Sequence, residues 1–233
     1  MTQQAWMGSA RPDALAGEPP QAGRRRLTRR RVRAGSALLV LLAAAAALTA
    51  TFQTYADPRL LFMDVIAGAQ ASGYCCRGYY GVMSNLGAIG WALAAGAALF
   101  AALCVWARGG ARADWLLPGF GGALSLALCM DDMLLLHESI LPGWGVPQVA
   151  VLGGYALASL AYAFAQRRRL LSGDGAFLLL AFILLGGSLA VDVLLHSTRS
   201  LVVAAEDGLK FVGIYAWLAF HTDFALRAVL GED

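Results

Sequence analysis

Six stretches of about twenty predominantly apolar residues, the first of them AGSALLVLLAAAAALTATF, constrain this chain more than any other feature. A hydrocarbon layer of ~30 Å is crossed by about twenty helical residues. Inside it no water is available to satisfy backbone N–H and C=O groups, so each segment must bond its own backbone as a helix. The runs predict an all-α polytopic membrane protein, a six-transmembrane-helix bundle with spans at about 35–53, 81–106, 115–136, 148–166, 176–196 and 205–228. Composition agrees: 59% of the 233 residues are hydrophobic, against roughly 45–50% in soluble domains.

The arginines set the orientation. With the N-terminus in the cytoplasm, fourteen of them, from Arg11 to Arg227, fall on the cytoplasmic side, and only Arg59, Arg77 and Arg199 fall on the other. This is the positive-inside pattern, and it predicts both termini cytoplasmic. The net charge of +3 is therefore a topogenic girdle, and nucleic acid is not an expected partner. Membrane lipids are. Residues 1–33, rich in Ala, Gly, Pro, Gln and Arg, read as a disordered cytoplasmic tail before a membrane domain at 34–229, and the cluster 24–33 suits anionic headgroups. The segment TRRRVRAGSALLV also has the form of an export signal, but an even helix count keeps every basic loop on one side and favours a retained first helix. Cys104 and Cys129 lie within spans as small apolar residues, whereas Cys75 and Cys76 are adjacent in the outer loop, an oxidising location where a host has a periplasm, although neighbours in sequence rarely bond each other comfortably and the pair has no assigned role.

Ionisable residues inside spans are costly and by default paired, wet or functional. On this topology they gather at one depth. The third span carries Asp131 and Asp132 near its outer end, with His137 and Glu138 at the exit; the fifth ends with Asp192 and His196; the sixth begins with Glu206, Asp207 and Lys210; the second places Ser84 and Asn85 one turn in. Helical spacing puts Asp192 and His196 on one face, aligns Glu206, Lys210, Gly213, Trp217 and His221, and aligns Tyr80, Ser84, Gly87 and Trp91. If the third helix continues through 138, Asp131 and Glu138 also share a stripe. Several carboxylates at one depth repel unless protonated or bridged by a cation.

Three functions fit such a cluster. In the first, His137, Asp192, His196, Glu206 and Asp207 bind a divalent metal, for which imidazole and carboxylate ligands suit zinc, manganese or iron. A metal-bound water then attacks a lipid or lipid-linked substrate. Asp131, Asp132 or Glu138 serves as base, Ser84 and Asn85 hold a carbonyl or phosphate, and Lys210 neutralises developing negative charge. In the second, the same groups form a proton or ion pathway along the sixth helix. In the third, they only lock a non-catalytic membrane subunit or assembly factor.

The segments YYGVMSNLGAIGW, DDMLLLHESILPGWGVP and EDGLKFVGIYAW resemble uncharacterised multi-pass bacterial inner-membrane proteins that share the SNLG, DDxxLLHE and EDGxKxxGxxxW patterns. That resemblance covers roughly residues 55–225 and implies six helices with the polar groups at one end. The chain is also faintly similar to the alkaline ceramidase and progestin/adiponectin-receptor superfamily, whose members combine a Ser-Asn pair, a helical Asp and several histidines. This second likeness implies an intramembrane zinc hydrolase, although here six helices stand in place of seven and no two histidines lie four apart in the last.

Overall fold

The computed structural model describes residues 21–75, 77–171, 175–195 and 199–230. Among them there are helices and connecting turns and no strand: α1 (Gln21–Phe52), α2 (Arg59–Phe62), α3 (Val65–Ser72), α4 (Val82–Ala107), α5 (Arg112–Leu134), a π-helical turn (Leu136–Ile140), α6 (Leu141–Gly143), α7 (Gln148–Ala165), α8 (Arg167–Leu171), α9 (Ala176–Leu195) and α10 (Ser200–Leu230). Five of these, α1, α4, α5, α7 and α9, are long and apolar enough to cross a membrane. The sixth long helix, α10, has 31 residues and carries the charges of Glu206, Asp207, Lys210, Asp223 and Arg227.

α10 is the centre of the bundle. It packs along α9, α4 and α1, while α5 packs along α4. Its ring of contacts is built around Trp217, 1% exposed, which meets Trp91 from α4, Tyr162 from α7 and Phe182 from α9. Close approach depends on small residues, as in membrane bundles generally. A Cβ added at Gly90 would lie 2.8 Å from Ile214, and one added at Gly213 would lie 2.9 Å from Leu185.

Two expectations need amending. The Arg-rich stretch 24–33 is helical, because α1 already begins at Gln21. It contains no Pro or Gly, and Arg and Leu are strong helix formers, so nothing in it stops the helix from running back beyond the apolar span. Residues 1–20 of the expected tail lie outside the described residues. The third helix does not continue through 138 either: α5 ends at Leu134, and Leu135 adopts the left-handed conformation with φ 52° and ψ 44°.

Within the connection between α1 and α4, the short helix α2 packs on one end of the bundle. Asp64 accepts from the amides of Ile66 and Ala67 and so caps α3, while Leu60, Leu61 and Phe62 are buried against the bundle. The Gly81 amide donates to the Leu60 carbonyl at 3.0 Å, tying α2 to the start of α4. Cys75 in this segment is disulfide-bonded, Cys104 and Cys129 are free, and Cys76 lies outside the described residues.

Candidate functional site

Asp131 and Asp132 are successive residues on α5, so their side chains leave the helix about 100° apart and serve two neighbouring polar groups. Asp132 points into the bundle. One carboxylate oxygen accepts from the Trp91 indole at 3.1 Å, and the other accepts from the Lys210 ammonium at 2.7 Å. This joins α4, α5 and α10 through one carboxylate. Asp132 and Lys210 stand in a small cleft of about 30 Å³, room for one or two waters, lined also by Phe62, Met83, Ser84, Gly87, Asp207, Phe211 and Ile214. Four residues expected from the sequence, Ser84, Asp132, Asp207 and Lys210, therefore do meet in one place.

Asp131 is buried, 3% exposed, and faces the other way. It accepts from the His137 backbone amide at 3.0 Å and from the Tyr155 hydroxyl at 3.2 Å, and it pairs with His137 Nδ1. A regular helix keeps residues i and i+6 apart; the left-handed Leu135 and the π-helical turn fold His137 back onto the carboxylate. A non-glycine residue in that conformation costs ~1–2 kcal/mol, which these bonds to Asp131 offset. The far nitrogen, Nε2, lies 3.4 Å from Glu138 Oε1. Hydrogen bonding to Asp131, and then to Glu138, holds the imidazole pKa up at about 9 against the opposing effect of burial. Glu138 is pushed below the usual carboxylate range by the same His137 contact. The turn thus favours the protonated imidazole through its contacts with Asp131 and Glu138.

The two groups share one electrostatic field. Lys210 acts on Glu138, and Glu206 feels Asp192, Lys210 and Glu138. The remaining expected residues are placed less centrally. Asn85 is exposed and outside the cleft lining, Asp192 is exposed on α9, and Glu206 is half-buried on α10. His196, the expected neighbour of Asp192, lies outside the described residues. Among the described residues no three His, Cys, Asp or Glu side chains come together as a group able to hold a metal by themselves.

Two participants were not singled out from the sequence. Tyr155 reaches Asp131 from α7, and nothing in its local pattern GGYALA marks it. Phe62 roofs the cleft from the α1–α4 connection, where only its apolar character was visible. Trp91, by contrast, lay on the inward stripe of its helix, and its indole N–H finds the acceptor that a buried tryptophan needs. His221 closes the inward stripe of α10 in an aromatic cage of Tyr162, Trp217 and Phe220, fully buried, and neither ring nitrogen has a hydrogen-bond partner among the described residues.

No curated protein and no solved structure matches this chain. One family model does, over residues 34–224, which takes in α4, α5, α7 and α9 whole and both polar groups, and the chain accordingly belongs to the family described as a domain of unknown function, DUF8692.

Proposed function

We propose that this protein is a six-span inner-membrane protein with both termini cytoplasmic, whose outward polar end is a metal-dependent hydrolase-like site for a lipid or lipid-linked substrate. One observation carries the reading: Asp131 grips His137 through Nδ1 and leaves Nε2 beside Glu138 Oε1, 3.4 Å away. Two ligands of a tetrahedral divalent ion, each ~2.0–2.2 Å from the metal, stand roughly 3.4 Å apart. A carboxylate on the opposite ring nitrogen is the usual support for a metal-ligating histidine. With two protein ligands, the rest of the coordination sphere would belong to water and substrate. A bound ion supplies an activated water and polarises a carbonyl or phosphoryl oxygen. Lys210 then offsets negative charge developing on the substrate, and the Ser84 hydroxyl donates to it from the cleft.

The six-span arrangement draws on the distribution of arginines and on the central position of α10. A proton or ion pathway finds less support. Such a path would run past the Trp91–Trp217 edge-to-face contact, 6.0 Å between centroids, and an indole N–H donates but cannot accept a proton.

The test is metal content of the purified full-length protein after equilibration with zinc or manganese, at a series of pH values. A ligating Nε2 must lose its proton, so binding rises as pH approaches 9 and is lost in His137→Ala. Folded wild-type protein that takes up no stoichiometric ion at pH 9 removes the metal reading.

A further inference from the structure

After Glu138 the chain turns back toward α7 without charge. No Asp, Glu, Lys, Arg or His occurs between Glu138 and Arg167, whereas the α1–α4, α4–α5, α7–α9 and α9–α10 connections carry Asp57, Arg108, Arg167 and Arg199. What this turn offers instead is apolar surface. Trp144 is 77% exposed and Val149 80% exposed, with Val146 and Pro147 exposed between them. The turn is also well fixed. The Trp144 amide donates to the Ile140 and Leu141 carbonyls at 3.2 and 3.0 Å, the Gly145 amide to Pro142 at 3.0 Å, and the Val146 amide to Leu141 at 3.0 Å. Gly145 takes φ 89°, which glycine alone adopts freely. These bonds hold the tryptophan on the same short unit as the π-helical turn, whose Ser139 amide donates to the Leu135 carbonyl at 2.8 Å. The depth of His137 and Glu138 is therefore tied to the depth of Trp144.

Exposed apolar surface of this kind marks a contact with membrane or with protein, and continuity decides between them. The patch runs directly into one exposed stripe of α7, Val149, Leu157, Leu160 and Phe164, on a helix long and apolar enough to cross a membrane. These are large side chains of the sort that acyl chains surround, whereas helices that approach each other within a bilayer use small residues. Tryptophan, with an apolar ring and an N–H donor, favours the headgroup level at the end of such a span. We propose that the turn 143–149 inserts at the boundary between headgroups and acyl chains, anchored by Trp144, so that the neighbouring His137 and Glu138 meet the ester or phosphate of a membrane lipid at its own depth. The role of that polar group rests on the hydrolase-like reading above, while insertion of the turn is measured separately.

The experiment uses full-length protein in phospholipid nanodiscs and follows paramagnetic broadening of its amide and indole N–H signals. The probes are a phospholipid with a nitroxide on its headgroup, a phospholipid with a nitroxide high on its acyl chain, and a soluble gadolinium chelate. The Trp144 indole and the Val146 and Val149 amides are expected to be broadened several-fold more by the acyl-chain nitroxide than by the chelate, and the Glu138 amide most by the headgroup nitroxide. In Trp144→Asp the acyl-chain effect on 143–147 falls several-fold, while Leu160, further along α7, is unchanged. Broadening of Trp144 or Glu138 chiefly by the chelate overturns the proposal, because that part of the turn then stands in water. Protection of Trp144 from all three probes also overturns it, because a partner protein or a second copy then covers the patch. Metal content of the same samples separates the two readings: insertion without metal keeps the membrane contact and removes the hydrolase-like chemistry, and metal without insertion does the reverse.

Discussion

Removing the Lys210 ammonium while leaving its partner in place tests whether the polar end of the bundle is held by charge pairing. In Lys210→Met, Asp132 keeps only the Trp91 indole as a donor, and its side chain is just 11% exposed. Breaking a buried ion pair from one side costs about 3–5 kcal/mol. Lys210 itself is 38% exposed, so solvent screens part of the attraction, and the expected loss sits at the low end, about 3 kcal/mol. Asp132→Asn retains an acceptor for Trp91 and leaves the lysine to face Asp207 and water in the cleft, so its cost is smaller, about 1–2 kcal/mol. The double variant Asp132→Asn, Lys210→Met buries no unpaired charge and is expected within ~1 kcal/mol of wild type. The assay is reversible unfolding in mixed micelles with increasing SDS, analysed as a double-mutant cycle. A coupling energy of about 2 kcal/mol or more is expected. Additive single costs, with coupling under ~0.5 kcal/mol, would refute the idea that one carboxylate ties α4, α5 and α10 together.

The remaining expectations concern the turn and the helix crossings. The raised pKa of His137 adds stability that is complete below its ordinary value of 6.5 and is lost as pH climbs through about 9; the lowered pKa of Glu138 adds stability present above 4.5 and lost in acid. Hydrogen exchange of the 136–140 amides, corrected for intrinsic rate, should therefore be slowest between pH 4.5 and 6.5 and accelerate by pH 9; protection that stays flat across that range contradicts the preference for a protonated imidazole. Leu135→Val puts a β-branched side chain at φ 52° and should destabilise by about 1–2 kcal/mol, whereas Leu135→Asn, suited to that region, should be neutral or mildly stabilising in a thermal unfolding series. Gly90→Val and Gly213→Val each meet a neighbour inside 3 Å and should cost about 1–3 kcal/mol. Gly96→Ala, with nothing within 4 Å of the added carbon, should leave the melting temperature unchanged or higher.

Periodicity carried the sequence reading a long way. The stripe Gly213, Trp217, His221 is buried as its spacing required, and so are Gly87 and Trp91 on α4 and Tyr80 in the turn before it. Such stripes are legible because one helix face must exchange lipid for neighbouring helices, and small or aromatic residues mark that face. Asn85 and Asp192 are exposed, and sequence spacing alone does not tell a polar residue that turns inward from one that faces water near a helix end. Pairings across helices were beyond it as well. Asp132 takes Trp91 from 41 residues upstream and Lys210 from 78 downstream, and no local pattern encodes either partner.

The hardest feature to foresee was the break at Leu135, and the site depends on it. Reading α5 as continuous puts Asp131 and Glu138 on one stripe and sends His137 to a different face. The chain instead spends backbone strain at a residue that is neither Gly nor Asn, so no composition signal announces the turn. What repays the strain is tertiary: a buried carboxylate that takes the His137 amide, its ring nitrogen and the Tyr155 hydroxyl. Remove that carboxylate in Asp131→Ala and the left-handed residue has nothing to hold it. The helix would then extend toward Glu138 by its own propensity, and His137 would swing away from Glu138. The stripe inferred from the sequence is in that sense the conformation this segment adopts without its site, and the observed turn is the one it adopts with it.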